Sequence, residues 1–123
     1  MVKFNAEKPI YSQIVDLMQI RIIKGEYPPK AKLPSVRDLA TELKVNPNTV
    51  QRAFTQLEQD GCVKCERTAG RFVTDDVELI EAAKESLTQE KTKDYISCML
   101  DYGCSCSEII EMTQRCAQEA GMK

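Results

Sequence analysis

Apolar residues recur three and four apart through the first half of the chain, and the places where the stripe breaks say as much as the stripe. Ile10, Ile14, Leu17, Met18 and Ile22 share one helical face, with Pro9 near its start and Gly25 as a stop, so a first helix is predicted over residues 9–24. Tyr27-Pro28-Pro29-Lys30 cannot continue it, because proline lacks an amide donor and turns the preceding residue toward extended geometry; a loop is predicted up to Leu33. Ser35-Val36-Arg37-Asp38 has the spacing of a capped helix start, and Leu39, Ala40 and Leu43 give a short second helix, residues 35–43, its apolar face.

Asn46 suits an N-cap and Pro47 the first helical position, while Val45 and Val50 occupy the positions of a hydrophobic staple. Val50, Ala53, Phe54 and Leu57 then fix the inner face of a third helix, which Asp60-Gly61 ends. At about 100° per residue, Asn48, Arg52 and Thr55 point away from that face and Gln51 lies on its flank. Two strand-like runs, 63–67 and 71–74, surround Thr68-Ala69-Gly70 and predict a hairpin. Helices two and three form a helix-turn-helix, and with the hairpin they make a winged helix.

Beyond Asp75 two or three acidic helices are predicted: one on Val77, Ile80, Ala83 and Leu87, a second on Tyr95, Ile96, Met99 and Leu100 that stops near Gly103, and a third starting after Ser107 as N-cap. The fold class is therefore mostly α with a small β-hairpin. It divides into a winged helix-turn-helix over 1–75 and a short helical tail over 76–123.

Charge sharpens this division. The net charge is −2, but residues 1–75 hold 12 Lys and Arg against 9 Asp and Glu, a balance of +3, whereas residues 76–123 hold 5 against 10, a balance of −5. The first part can supply a phosphate-binding surface; the second meets something else. No run of apolar residues is long enough to span a membrane, and residues 1–9 lack the apolar core of a signal peptide, so a cytoplasmic protein is expected.

Six cysteines with no secretion signal are expected to be reduced thiols. Cys62 and Cys65, three apart at a strand, face opposite sides and do not chelate together, and Cys98 and Cys116 are expected to pack in helix interfaces. With no histidine, no phosphate-cradling glycine loop and no nucleophile beside a base, the sequence shows no catalytic set, no metal site and no cofactor site.

The blocks PIYSQI (residues 9–14), LPSVRDLA (33–40), VNPNTVQRAF (45–54), LEQDG (57–61) and GRFV (70–73) together resemble the winged-helix domain of the GntR superfamily of bacterial transcription regulators. The length of the helical tail is similar to that of the YtrA-type branch. The resemblance implies double-stranded DNA as partner, with Ser35 and Arg37 meeting DNA at the start of the second helix. It implies that Asn46, Asn48, Thr49, Gln51 and Arg52 lie where a recognition helix enters the major groove. The same resemblance implies that Gly70, at the wing tip, lies near the minor groove. The family wing usually carries two glycines flanking one residue; here Thr68 stands at the first, and Arg67 and Arg71 are the cations left to meet phosphate. Arginine, asparagine and glutamine on an exposed helix face are the side chains that pair bidentately with guanine and adenine. The plain alternative for Asn46-Pro47-Asn48-Thr49, a capped helix start with no ligand, loses ground inside this ordered set of blocks.

The expected protein is a homodimeric regulator, a repressor at an inverted repeat, paired through Ile80, Leu87, Ile96, Leu100, Ile109 and Ile110 of the tail, and the family resemblance implies control of a transport-related operon. A small-molecule effector is left unidentified. A second reading makes the tail thiols, Cys104 and Cys106 first, a sensor of oxidants.

Overall fold

The computed structural model describes residues 3–122 and contains five helices and one hairpin: α1 (Ile10–Ile23), α2 (Val36–Leu43), α3 (Pro47–Gln59), β1 (Val63–Glu66), β2 (Gly70–Val73), α4 (Val77–Asp101) and α5 (Cys106–Glu119). The chain divides into two compact units, Met1–Lys84 and Glu85–Lys123.

The first unit is built around Phe54 of α3, which is wholly buried with Val50, Ala53 and Leu57 of the same stripe. Ile14, Val15, Met18 and Ile22 of α1 and Leu39, Ala40 and Leu43 of α2 close over it. Each helix boundary has a local cause. Ser35 Oγ accepts from the Asp38 amide at 3.0 Å, and Asn46 Oδ1 accepts from the Asn48 amide at 2.8 Å, with Pro47 in the first turn. After α3, the Cys62 amide reaches back to the Leu57 carbonyl and the Gly61 amide to that of Glu58, a Schellman stop that needs Gly61 at φ +85°.

The hairpin is antiparallel, with Val63 opposite Val73 and Glu66 opposite Gly70. A third stretch joins it. The Leu33 amide donates to the Arg71 carbonyl at 2.8 Å, the Val73 amide to the Ala31 carbonyl at 2.9 Å, and Lys32 bridges to Phe72. The segment predicted as a plain loop thus runs beside β2 through an isolated bridge and ties the wing to the helices.

The tail departs from expectation in three respects. The first two tail helices are one, α4, because residues 88–94 contain neither glycine nor proline to end it. The last helix starts at Cys106 with Ser105, rather than Ser107, as N-cap: Ser105 Oγ accepts from the Glu108 amide, and Glu108 returns the bond to the Ser105 amide at 2.9 Å. Ile80, assigned from sequence to the pairing face, is instead buried in the core of the first unit, with Leu79 packed against it. The first turns of α4 therefore complete the winged helix.

Candidate nucleic-acid interface

The outer surface of α3 is polar as the stripe requires. Asn46, Asn48, Gln51 and Arg52 are exposed and Thr49 is partly so, while every residue of the inner stripe is wholly buried. This difference fixes the helix rotation, since turning it by one residue would bring Phe54 to solvent and Arg52 toward the core. Thr55 spends its hydroxyl on the Gln51 carbonyl at 3.0 Å. The side-chain oxygens of Ser35 and Asn46 are occupied as caps, which leaves the Asn46 amide NH2 as the donor it can offer.

Two arginines at this surface have definite partners. The Arg52 guanidinium lies over the ring of Tyr11 in α1, 3.8 Å from its centroid. Arg71 is drawn inward: its Nε donates to Glu58 Oε1 at 2.5 Å and its guanidinium sits over Phe54 at 5.0 Å. Arg71 is thereby engaged as a brace between β2 and α3. Arg37, in the first turn of α2, and Arg67, in the wing turn, are exposed, and their guanidinium groups have no partner among the described residues.

At the wing tip Gly70 has φ +107°, in the left-handed region that glycine favours, and a Cβ there would lie 3.3 Å from Lys32 Cε. Thr68 takes an ordinary backbone conformation, since Lys30 and Lys44 are the non-glycine residues with positive φ among those described. Replacing a glycine at that point therefore carries no strain. Lys32 is a cation that sequence reading missed: exposed, next to Gly70, and aligned with β2 through its bridge to Phe72. Only the pairing of a proline-rich loop with a distant strand brings it to the wing. At the wing's base Lys64 is tied to Asp75 at 2.9 Å; the hydrogen bond and the opposite charge raise the lysine's pKa and lower the carboxylate's.

A helix-turn-helix with a polar outer face on its second helix, cations at Arg37, Arg67 and Lys32, and a glycine-tipped wing is a surface for phosphate and base edges. The model of the family described as bacterial regulatory proteins, gntR family, matches residues 10–73. The chain belongs to the GntR family. Among relatives of this GntR-family regulator, the HTH-type transcriptional regulator YhcF of Bacillus subtilis is 38% identical over 109 residues, covering 89% of this chain and 90% of that protein. The HTH-type transcriptional repressor YtrA of the same organism is 39% identical over 94 residues, covering 75% and 72%. A GntR family transcriptional regulator from Listeria monocytogenes superposes with a TM-score of 0.86 at 38% identity, covering 91% of this chain and 98% of that one. The GntR-family chain is a DNA-binding transcriptional regulator and not an enzyme.

In the second unit Ile96, Leu100 and Ile110 of the sequence-assigned pairing set are exposed, at 39%, 56% and 54%, and Leu87 is partly covered. Ile109 is buried within the single chain. Tyr95, Met99, Met112, Thr113, Cys116, Ala117 and Met122 line a shallow apolar groove. Cys98 and Cys116, expected in helix interfaces, are exposed in the single chain. Cys62 is buried and Cys65 exposed, but Cys62 sits in the bend before β1 rather than in the strand, so strand alternation does not relate the two. Burial, and then the nearby Asp60 charge, push the Cys62 thiol above its usual pKa, which keeps it protonated and unreactive. The family match lends the thiol-sensor reading no support. Among the described residues no helix is long and apolar enough to cross a membrane, and no three His, Cys, Asp or Glu side chains gather as a metal site.

Proposed function

We propose that this GntR-family regulator is a cytoplasmic repressor that binds an inverted-repeat operator as a homodimer and controls a transport-related operon, as the YtrA-type resemblance implies. The observation that carries base reading is the partition of α3, with its inner stripe sealed and Asn48, Gln51 and Arg52 open on the outside. Asn48 and Gln51 match the two edge groups of adenine, and Arg52 matches those of guanine. Ser35, Arg37, Arg67 and Lys32 hold the phosphates, and Gly70 lets the wing backbone come close to the minor groove. The exposed Ile96, Leu100 and Ile110 in a short acidic unit support pairing of two tails. The repressor role of the relative YtrA supports repression.

The test is selection from random-sequence DNA by the purified chain, with sedimentation of the complex. The expected product is an inverted repeat whose half-sites lie about one helical turn apart, bound by two chains. Gln51→Ala should relax base preference at one position in each half-site and weaken binding by about 1–3 kcal/mol. A single unrepeated site bound by one chain would sink the dimer, and no enrichment at all would sink base reading.

A further inference from the structure

The geometry points to Tyr11, outside the helix-turn-helix, as a positioning residue that holds Arg52 ready for DNA. This rests on the reading that the outer face of α3 binds bases. Tyr11 stands in the first turn of α1, half-buried and packed against the core of the first unit, so its ring is anchored on one side. Its other side carries the Arg52 guanidinium at 3.8 Å.

A guanidinium resting on a ring presents one face to it, while its N–H donors lie in its own plane and point outward. Those donors have no protein partner among the described residues, and Arg52 is exposed. Stacking and bidentate hydrogen bonding therefore use different parts of the same group. An unstacked surface arginine samples many rotamers and loses that freedom on binding DNA. One already held by a ring loses less and presents its donors from one place. The stack ties α1 to base recognition, although no α1 side chain needs to touch a base.

The experiment measures binding of the full chain to its selected operator for Tyr11→Leu, which removes the ring face, and Tyr11→Phe, which keeps it, each with Arg52 and with Arg52→Ala. Affinities are taken well below the melting point and corrected for the active fraction. Tyr11→Leu should weaken binding by about 3- to 10-fold and flatten the base preference only where Arg52→Ala flattens it, and Tyr11→Phe should restore both. In the Arg52→Ala background Tyr11→Leu should cost nothing more. An equal loss in that background overturns the proposal, because Tyr11 then acts through the fold or directly on DNA. So does an unchanged preference in Tyr11→Leu beside a strong Arg52→Ala effect, since the arginine then needs no positioning. If Arg52→Ala is itself silent there is nothing to position, and the proposal falls while base reading by Asn48 and Gln51 stands. A parent chain that selects no site at all removes the underlying reading as well.

Discussion

Replacing Arg71 by alanine separates a brace from a DNA contact. The sequence presents Arg71 as a wing cation equivalent to Arg67, but the structure gives them different surroundings. Arg71 is paired with Glu58 at side-chain exposures of 19% and 28%, and its guanidinium lies over the buried ring of Phe54. A partly desolvated guanidinium over an aromatic face contributes about 0.5–2 kcal/mol. The ion pair adds about 1 kcal/mol once the remaining solvent access of both groups is allowed for. Arg71→Ala should therefore destabilise the winged unit by about 1.5–3 kcal/mol, a fall in melting temperature of roughly 6–24 °C for a domain of this size. Arg67→Ala should stay within about 0.5 kcal/mol of the parent. The assay is thermal and urea unfolding followed by circular dichroism, with DNA affinity measured over a salt series at a temperature where both variants are folded. Arg67→Ala should lower the magnitude of the salt slope by about one and Arg71→Ala should leave it unchanged. If Arg71→Ala melts within about 2 °C of the parent and still reduces the slope, the brace is wrong and Arg71 reaches phosphate.

Three further outcomes follow from backbone and titration. Lys44 caps α2 at φ +58°, so Lys44→Gly should raise stability by about 0.5–1 kcal/mol, whereas Gly61→Ala, at φ +85° with Leu79 Cδ1 3.4 Å from the new methyl, should lower it by about 1 kcal/mol or more; urea midpoints check both. Cys62 should resist thiol reagents that modify Cys65 quickly, and react only on unfolding. Because its folded pKa is raised, its contribution to stability is full below the ordinary thiol range and is lost as pH rises beyond that range through the raised folded value. The Glu108 carboxylate accepts from the Ser105 backbone amide; this bond first, and the neighbouring Ser105 hydroxyl second, hold its pKa below the usual value. Its contribution to the α5 cap is thus full above the ordinary carboxylate range and fades as pH falls through the lowered value; a helical signal whose acid limb is the same in Glu108→Gln would refute this.

The sequence by itself determined whatever depends on neighbours a few residues away. Helix starts at Ser35 and Asn46, stops at Gly25 and Gly61, and the turn before Gly70 rest on caps, left-handed glycines and a repeating stripe, so they can be read along the chain. The stripe of Val50, Ala53, Phe54 and Leu57 also fixed which side chains α3 shows to solvent, and this brought most of the candidate DNA surface into view. Ser105 was missed in favour of Ser107 because both fit a cap, and only the returning Glu108 side chain distinguishes them.

Tertiary structure decided what depends on residues far apart in the chain. Arg71 and Arg67 are chemically alike, yet Glu58, thirteen residues before Arg71, pulls one of them inward. Lys32 reaches the wing only through pairing of its loop with β2, and Tyr11 meets Arg52 only because α1 packs on α3. Ile80 fits a tail stripe as well as a core site, and it joined the core because the first turns of α4 fold back over the winged helix. A stripe shows which side of a helix will be buried. The surface that buries it, and the partner that claims a given charge, are set by packing across the fold.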